Sequence, residues 1–281
     1  MIVLRCPQVI KILHALLAAS LFLVACTEDD VAWTDPLTLS GALGAADARL
    51  AVDAKGRARL VADTSVSVVP ASDAHVCAGS VRTARQDDGT LTAVWWSVRS
   101  DSSALLLAAV SPDAGSSWHP AVRVDTADVN TTGCDRPPPA ISASGGFVHV
   151  AYAMRGTEGV GVFYAHSMND GKSYEPPATI LYGDRLTRTA IASDKGTLAV
   201  AYEEPSGSSP QIGLAISRDW GHIFRDRIRG STGVGAATNP DVAVAGREIA
   251  VSWTVGAQGG AGGTSDSDAR TTRIVRVGRL Q

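Results

Sequence analysis

Ser111-Pro112-Asp113-Ala114-Gly115-Ser116-Ser117-Trp118 is the first of three stretches with the pattern Ser-x-(Asp/Asn)-x-Gly-x-x-aromatic. The other two are residues 167–174 and 217–224, at successive separations of 56 and 50 residues. A short Asp or Asn side chain accepts hydrogen bonds from backbone N–H groups just ahead of it, the Ser hydroxyl adds another local bond, and Gly adopts a positive φ without strain. The pattern therefore predicts a tight hairpin turn, and its recurrence at this period predicts a propeller or a solenoid.

An apolar strand that follows a turn also repeats along the chain, at a spacing similar to that of the patterned turn. Val94-Trp95, Ala151-Tyr152, Ala201-Tyr202 and Ser252-Trp253 occupy one position of it, at spacings of 57, 50 and 51 residues. A shorter strand precedes each turn, a third strand leads into the Ser-x-(Asp/Asn) pattern, and no amphipathic helical pattern occurs after residue 25. These features predict an all-β propeller of four-stranded blades, with strands A to D in chain order and the patterned turn between C and D.

The number of B strands predicts five blades, or six if one is degenerate. The first blade, about residues 45–76, is clipped, and the last ends at its third strand. Residues 33–40, which begin Trp33-Thr34-Asp35-Pro36, resemble the stretch after each patterned turn. We expect them to supply the missing fourth strand, which would close the ring and cover an otherwise exposed strand edge.

The N-terminal residues indicate export. Arg5 and Lys11 precede a short apolar run that ends in small residues, so residues 1–25 are interpreted as a signal peptide. Leu23-Val24-Ala25-Cys26 resembles a bacterial lipobox. The resemblance implies cleavage before Cys26 and acylation of its thiol and new amino group, which would anchor the chain firmly. The alternative is an ordinary signal peptide followed by a chance cysteine.

The expected location is therefore extracytoplasmic, on a bacterial membrane, with residues 26–32 as a lipidated tether. Thr27, rather than Asp, follows the anchor, which favours the outer membrane where the cell has two. Removal of residues 1–25, which contain two basic and no acidic residues, changes the formal net charge from −3 to −5. A mildly acidic domain with scattered basic residues excludes nucleic acid as the expected partner.

The patterned turns resemble the Asp-box, or BNR, repeat of the sialidase-like β-propellers. This resemblance implies a propeller over residues 33–281, with the turns on the side away from any ligand site. Their residues would then be structural: Ser111, Asp113, Gly115, Trp118, Ser167, Asn169, Gly171, Tyr174, Ser217, Asp219, Gly221 and Phe224.

Sialidases of this fold use three arginines for the sialate carboxylate, a Tyr nucleophile with a partner Glu, and an Asp acid/base. Their early Arg-Ile-Pro motif is missing here, and Arg136-Pro137-Pro138 is only loosely similar to it. No Tyr with a partner Glu can be assigned, because Tyr152 and Tyr202 lie within B strands. The resemblance therefore implies the fold more strongly than the activity.

A ligand site is expected where the D-to-A and B-to-C connections meet. Arginine binds carboxylates in a fork, so several guanidinium groups at one mouth would suit an anionic ligand. The weak candidates are Arg82, Arg136, Arg188, Glu203 and Asp135; the alternative is that these loop residues are simply solvated. We expect a non-catalytic module that binds a glycan, an anionic ligand or a protein, and the alternative is a divergent exo-glycosidase of sialidase type.

Cys77 and Cys134 are 57 residues apart, the offset that also aligns Trp95 with Tyr152. They therefore stand at equivalent points of neighbouring blades and are candidates for a disulfide in an oxidising compartment. The alternative is two thiols too far apart to bond. The histidines show no metal-ligand spacing, and phosphate-binding and nucleophile-elbow motifs are missing, so no metal or cofactor is expected.

Overall fold

The computed structural model describes residues 31–39, 48–62, 73–207, 209–233, 235–255 and 272–281. The predicted signal peptide, the Cys26 lipidation site and most of the tether lie outside these residues. Nowhere in the described ranges is there a helix long and apolar enough to cross a membrane.

The described residues contain strands and one short 3-10 helix, Ala78–Ser80. The strands are β1 (Val31–Trp33), β2 (Leu37–Leu39), β3 (Ala48–Val52), β4 (Ala58–Ala62), β5 (Arg82–Arg85), β6 (Leu91–Val98), β7 (Ala104–Ser111), β8 (Val122–Asp125), β9 (Ala140–Ser144), β10 (Phe147–Gly156), β11 (Gly159–Ser167), β12 (Ala178–Gly183), β13 (Thr189–Asp194), β14 (Thr197–Glu203), β15 (Ile212–Ser217), β16 (Asp226–Arg229), β17 (Ala237–Ala245), β18 (Glu248–Val255) and β19 (Thr272–Leu280).

Three antiparallel sheets have the predicted A-to-D order, β5–β8, β9–β12 and β13–β16. Their second strands are buried on both faces because neighbouring sheets cover them. All residues from Leu91 to Ser97 in β6 are buried, as are those from Leu198 to Tyr202 in β14. This double burial explains why these strands are continuous apolar runs rather than alternating ones.

The last sheet contains β17, β18 and β19, and its outer strands come from the other end of the described chain. β1 pairs with β19 from Val31 opposite Leu280, and β2 pairs with β19 from Leu37 opposite Val275. Thr34 links the two short strands, because its N–H and hydroxyl both donate to the carbonyl of Val277, at 2.8 and 3.1 Å. The predicted pairing of the N-terminal segment with the last strand is therefore present.

β3 and β4 form a two-stranded sheet in the described residues, at the place of the clipped first blade. Apolar residues of this sheet pack against the last one: Leu50 belongs to a cluster with Ala243, Ala250 and Val275. Similar clusters fill the spaces between β5–β8 and β9–β12, between β9–β12 and β13–β16, and between β13–β16 and the last sheet. The molecule is an all-β propeller, since the inner strands β3, β5, β9, β13 and β17 line one central cavity.

The three patterned turns, called repeat turns below (residues 111–118, 167–174 and 217–224), connect the third and fourth strands of their sheets. Each has the same hydrogen bonds: the Ser hydroxyl donates to the Asp or Asn side chain and accepts from the Gly N–H, as in Ser217, Asp219 and Gly221. The residue before Gly also has a positive φ, 58° at Ala114, 60° at Asp170 and 62° at Trp220. Tyr174 and Phe224 pack into clusters between neighbouring sheets, whereas Trp118 packs against a cluster within the β5–β8 sheet.

Candidate functional site

The central cavity has a volume of about 650 Å³, within the usual range for small-molecule sites. Four arginines line it: Arg49 on β3, Arg82 on β5, Arg188 just before β13 and Arg273 on β19. Each comes from a different sheet. The cavity therefore concentrates positive charge that is dispersed in the sequence.

Two of these arginines are held by the protein itself. Arg273 donates to the Asp241 carboxylate at 2.9 Å and to the Ser252 hydroxyl at 3.0 Å. Arg82 donates to the carbonyl oxygens of Val81 and Gly79, at 2.7 and 3.2 Å. These bonds fix the position of two positive charges on the cavity wall.

The other two arginines, Arg49 and Arg188, are exposed. Neither guanidinium makes a hydrogen bond or an ion pair with any residue of the described ranges. A guanidinium has five N–H donors in a rigid fork that matches a carboxylate or another oxyanion. Arg49 and Arg188 can therefore offer their full donor set to a molecule in the cavity.

Asp241 is the one acidic residue among the described residues that line the cavity. Its carboxylate accepts the Leu50 N–H at 2.6 Å and pairs with Arg273. Burial raises the pKa of Asp241, and the bond from Leu50 and the charges of Arg273 and Arg49 offset only part of that rise. Even with Asp241 ionised, the lining residues carry a clear excess of positive charge.

The structure brings together two of the five candidates that the sequence suggested. Arg82 and Arg188 line the cavity. Glu203 lies beside it, where its carboxylate accepts the N–H of the lining residue Asn239 at 2.8 Å. Asp135 is exposed in a turn closed by bonds to Thr132 and is not among the lining residues. Of the five weak candidates, two therefore line the cavity, one lies beside it, and Asp135 and Arg136 lie elsewhere.

Arg136 is the clearest departure, because its side chain is only 1 % exposed. It pairs at 2.7 Å with Asp128, whose side chain is 2 % exposed, and donates to the Gly133 carbonyl at 2.6 Å. Its guanidinium also lies over the Trp96 ring, 5.3 Å from the centroid. Arg136 therefore fastens the connection between β8 and β9 and is not available to a ligand.

The same connection carries one half of a disulfide. Cys77 and Cys134 are bonded, with their Cα atoms 5.4 Å apart. Cys77 also donates its N–H to the Trp96 carbonyl at 2.8 Å. The disulfide, the ion pair and Trp96 thus hold the residue 126–139 segment against the β5–β8 sheet.

One tyrosine has a glutamate partner, contrary to the sequence interpretation that none could be assigned. The Tyr182 hydroxyl donates to Glu158 at 2.6 Å. Tyr182 is on the outer strand β12, and neither residue lines the cavity. Tyr152 is buried and donates to Asp125, as expected for a packed strand residue.

A histidine cluster lies between the β9–β12 and β13–β16 sheets. His149 is 1 % exposed and shares a 2.7 Å hydrogen bond with the Tyr164 hydroxyl. Burial, and then the nearby His166 and His222, lower the pKa of His149 to about 3. Within the described part of the chain, no three potential ligands are grouped in a way that could hold a metal ion.

Two arginines of the cavity were missed by the sequence interpretation. Arg49 belongs to the clipped sheet, which has no repeat turn, and Arg273 follows a Gly-rich stretch that obscures the strand register. One sequence signal could have identified Arg49. It lies at the start of the first strand of its sheet, as Arg82 does, and Arg188 directly precedes such a strand.

No protein-family model matches the chain, and no curated protein matches it. Several solved structures resemble it. The Hadza microbial sialidase Hz136 is 17 % identical with a TM-score of 0.44, covering 68 % of this chain and 46 % of its own. A Trypanosoma rangeli sialidase in complex with the inhibitor DANA is 12 % identical with a TM-score of 0.46, covering 80 % and 39 %.

A xylan β-1,4-xylosidase from Bacillus halodurans C-125 is 11 % identical with a TM-score of 0.43, covering 78 % of this chain and 45 % of its own. This chain thus spans less than half the length of these three proteins. Similarities this low do not transfer an activity.

Proposed function

We propose that this protein is a lipid-anchored propeller at the bacterial cell surface whose central cavity binds an anionic glycan or another oxyanion-bearing ligand without transforming it. The observation that carries the proposal is the convergence of Arg49, Arg82, Arg188 and Arg273 on one cavity. The mutual repulsion of four guanidinium groups around one cavity is unfavourable, and a bound anion would offset it. Arg273 pairs with Asp241, whereas the guanidinium groups of Arg49 and Arg188 make no ion pair with any described residue.

The geometry favours a ligand with a fork-shaped anionic group. Arg82 and Arg273 are preorganised by bonds to the protein, whereas Arg49 and Arg188 keep their donors for the ligand. Preorganised donors lose less conformational entropy on binding. A uronate or sialate carboxylate would satisfy the fork, and its sugar ring would fit a cavity of about 650 Å³.

The absence of a paired acid and base among the described lining residues supports binding over hydrolysis. Glycoside hydrolysis uses two carboxyl groups on opposite sides of the scissile bond, or a tyrosine nucleophile in sialidases. Asp241 is the single carboxylate of the described cavity wall, and the Tyr182 and Glu158 pair lies on an outer strand.

The alternative, a divergent exo-glycosidase, has one observation in its favour. Burial raises the pKa of Asp241, the direction that a general acid requires. Release of fluorophore from a fluorogenic sialoside, lost in the Asp241→Asn variant, would support this alternative and contradict the proposal.

Binding is tested with the domain from residue 27, applied to an array of acidic and neutral glycans and then titrated with the best ligand. Arg49→Met and Arg188→Met should each weaken binding roughly 10- to 100-fold, since a hydrogen bond to a charged group contributes about 1.5–3 kcal/mol. The matched control is Arg225→Met, an exposed arginine beyond the third repeat turn. Preference for neutral glycans, or equal losses in the control, would contradict the proposal.

A further inference from the structure

The sheets have two distinct ends. At the cavity end, the first strands begin and the connections to them converge, as at Arg82 and Arg188. At the repeat-turn end, the third and fourth strands are joined by residues 111–118, 167–174 and 217–224. Strand β19 runs between these ends, because Arg273 lines the cavity whereas Leu280 lies at the other end.

The described chain begins at the repeat-turn end. Val31 pairs with Leu280, and the Leu280 N–H donates to the carbonyl of Arg247, in the turn that precedes β18. Arg218, in the third repeat turn, donates to the carbonyl of Gln281 at 2.9 Å. Any segment preceding Val31 therefore leaves the propeller beside the third repeat turn.

The orientation of the molecule on a membrane is limited by two distances, the length of strand β19 and the reach of residues 26–30. Leu280 follows Arg273 by seven positions in β19, which corresponds to about 23 Å of strand. Residues 26–30 number five, and even fully extended they span only about 17 Å. A chain held at Cys26 is thus too short to let the cavity end turn over onto the bilayer.

We propose that the repeat-turn end faces the lipid headgroups of the bilayer that holds Cys26, and that the arginine-lined cavity opens away from it. This inference rests on the proposed lipidation of Cys26. The tips of the turns suit a headgroup layer: Met168 and Ile223 are 51 % and 50 % exposed, and Arg225 is an exposed cation. Lys172 is also exposed, although it pairs with Asp170 at 3.6 Å. The ligand of the cavity is then a molecule of the surrounding space and not a lipid of the anchoring membrane.

The test compares two labelled variants of the full chain, processed in cells and reconstituted into phosphatidylethanolamine and phosphatidylglycerol vesicles. Ser116→Cys places a fluorophore in the first repeat turn, and Ser206→Cys places one in the exposed loop after β14, at the cavity end. Cys77 and Cys134 are bonded, Cys6 is removed with the proposed signal peptide, and the proposed acylation occupies the thiol of Cys26, so the introduced thiol is the one that reacts. Energy transfer to a lipid-bound acceptor should be more efficient from the Ser116→Cys label.

Equal or more efficient transfer from the Ser206→Cys label would overturn the inference.

A second experiment lengthens the tether with a flexible insert of about 40 Gly and Ser residues after Thr27, which has a mean span of roughly 35 Å. The insert should reduce the difference in transfer efficiency between the two labels; an unchanged difference would refute the argument from tether length. Absence of acyl chains on Cys26 by mass spectrometry would overturn the inference at its premise. Ligand binding by the soluble domain is measured separately, so its failure is distinguishable from each of these outcomes.

Discussion

Arg136 and Arg188 occupy similar places in the sequence, each shortly before the first strand of a sheet, yet they have opposite environments. Arg136 is buried, paired with Asp128 and stacked over Trp96. Arg188 is exposed on the cavity wall, and its guanidinium makes no hydrogen bond or ion pair with any described residue. The neighbours, and not the position in the repeat, decide whether an arginine stabilises the fold or is available to a ligand.

The largest effect is expected from Arg136→Met. Removing one partner of a buried ion pair leaves the Asp128 charge uncompensated, which typically costs about 3–5 kcal/mol of unfolding free energy. The double variant Arg136→Met/Asp128→Asn removes both charges and should lose less than the single one. Urea denaturation measures both, and a single variant as stable as the wild type would mean that the pair does not hold the segment.

The disulfide holds the same segment, so it should have a somewhat smaller effect. Cys77→Ser should reduce the unfolding free energy by about 2–4 kcal/mol, chiefly through the loop closed in the unfolded chain. Adding a reductant to the wild-type protein should reproduce this loss and leave the variant unchanged. Two titratable thiols in denatured, unreduced protein would show that Cys77 and Cys134 are not bonded.

His149 is a buried base without an acidic partner, so its burial should make the unfolding free energy depend on pH. Its pKa is about 3 in the folded protein and about 6.5 when unfolded, so the unfolded state binds more protons between these values. Stability is thus full above about pH 6.5 and is lost as the pH falls, by about 2 kcal/mol between pH 7 and pH 5.

The His149→Gln variant keeps a polar group for Tyr164 and removes this titration. Its urea-derived stability should therefore change less between pH 7 and pH 5 than that of the wild type. Because His166 is also partly buried with a lowered pKa, the difference between the two proteins is the relevant quantity. Identical pH profiles would show that His149 does not titrate as its burial predicts.

The smallest effect on stability is expected from Arg188→Met, the same substitution as at position 136. An exposed side chain without partners should change the unfolding free energy by no more than about 0.5 kcal/mol. The same variant should still weaken ligand binding, so Arg188 should affect binding without affecting stability. A large loss of stability would show that Arg188, like Arg136, stabilises the fold.

Much of the fold could be predicted because the sequence repeats its own local signals. The turns at Ser111, Ser167 and Ser217 lie between the expected strands, and the aligned pairs such as Val94-Trp95 fall within the second strands. The pairing of residues near Trp33 with the last strand was predictable from their likeness to the fourth strands. These features depend on residues close in sequence.

The site was harder to predict because it depends on which loop residues meet across the sheets. Nothing local distinguishes Arg136 from Arg188; the difference is made by Asp128 and Trp96, which are 8 and 40 residues from Arg136 in the chain. Arg273 and Asp241 pair across 32 residues, with the Gly-rich stretch between them. The sequence therefore predicted the end of the sheets at which the arginine-lined cavity lies better than the residues that line it.

The pairing of β1 and β2 with β19 also imposes an order in time. Thr34 and Val277, which are joined by backbone and side-chain hydrogen bonds, are 243 residues apart. At a synthesis rate of about 5–20 residues per second, Val277 is made roughly 10–50 s after Thr34, so the first strand always precedes its partner. Until then the last sheet is incomplete, so a chain that is stopped before Thr272 leaves the first strands without the neighbour that they need.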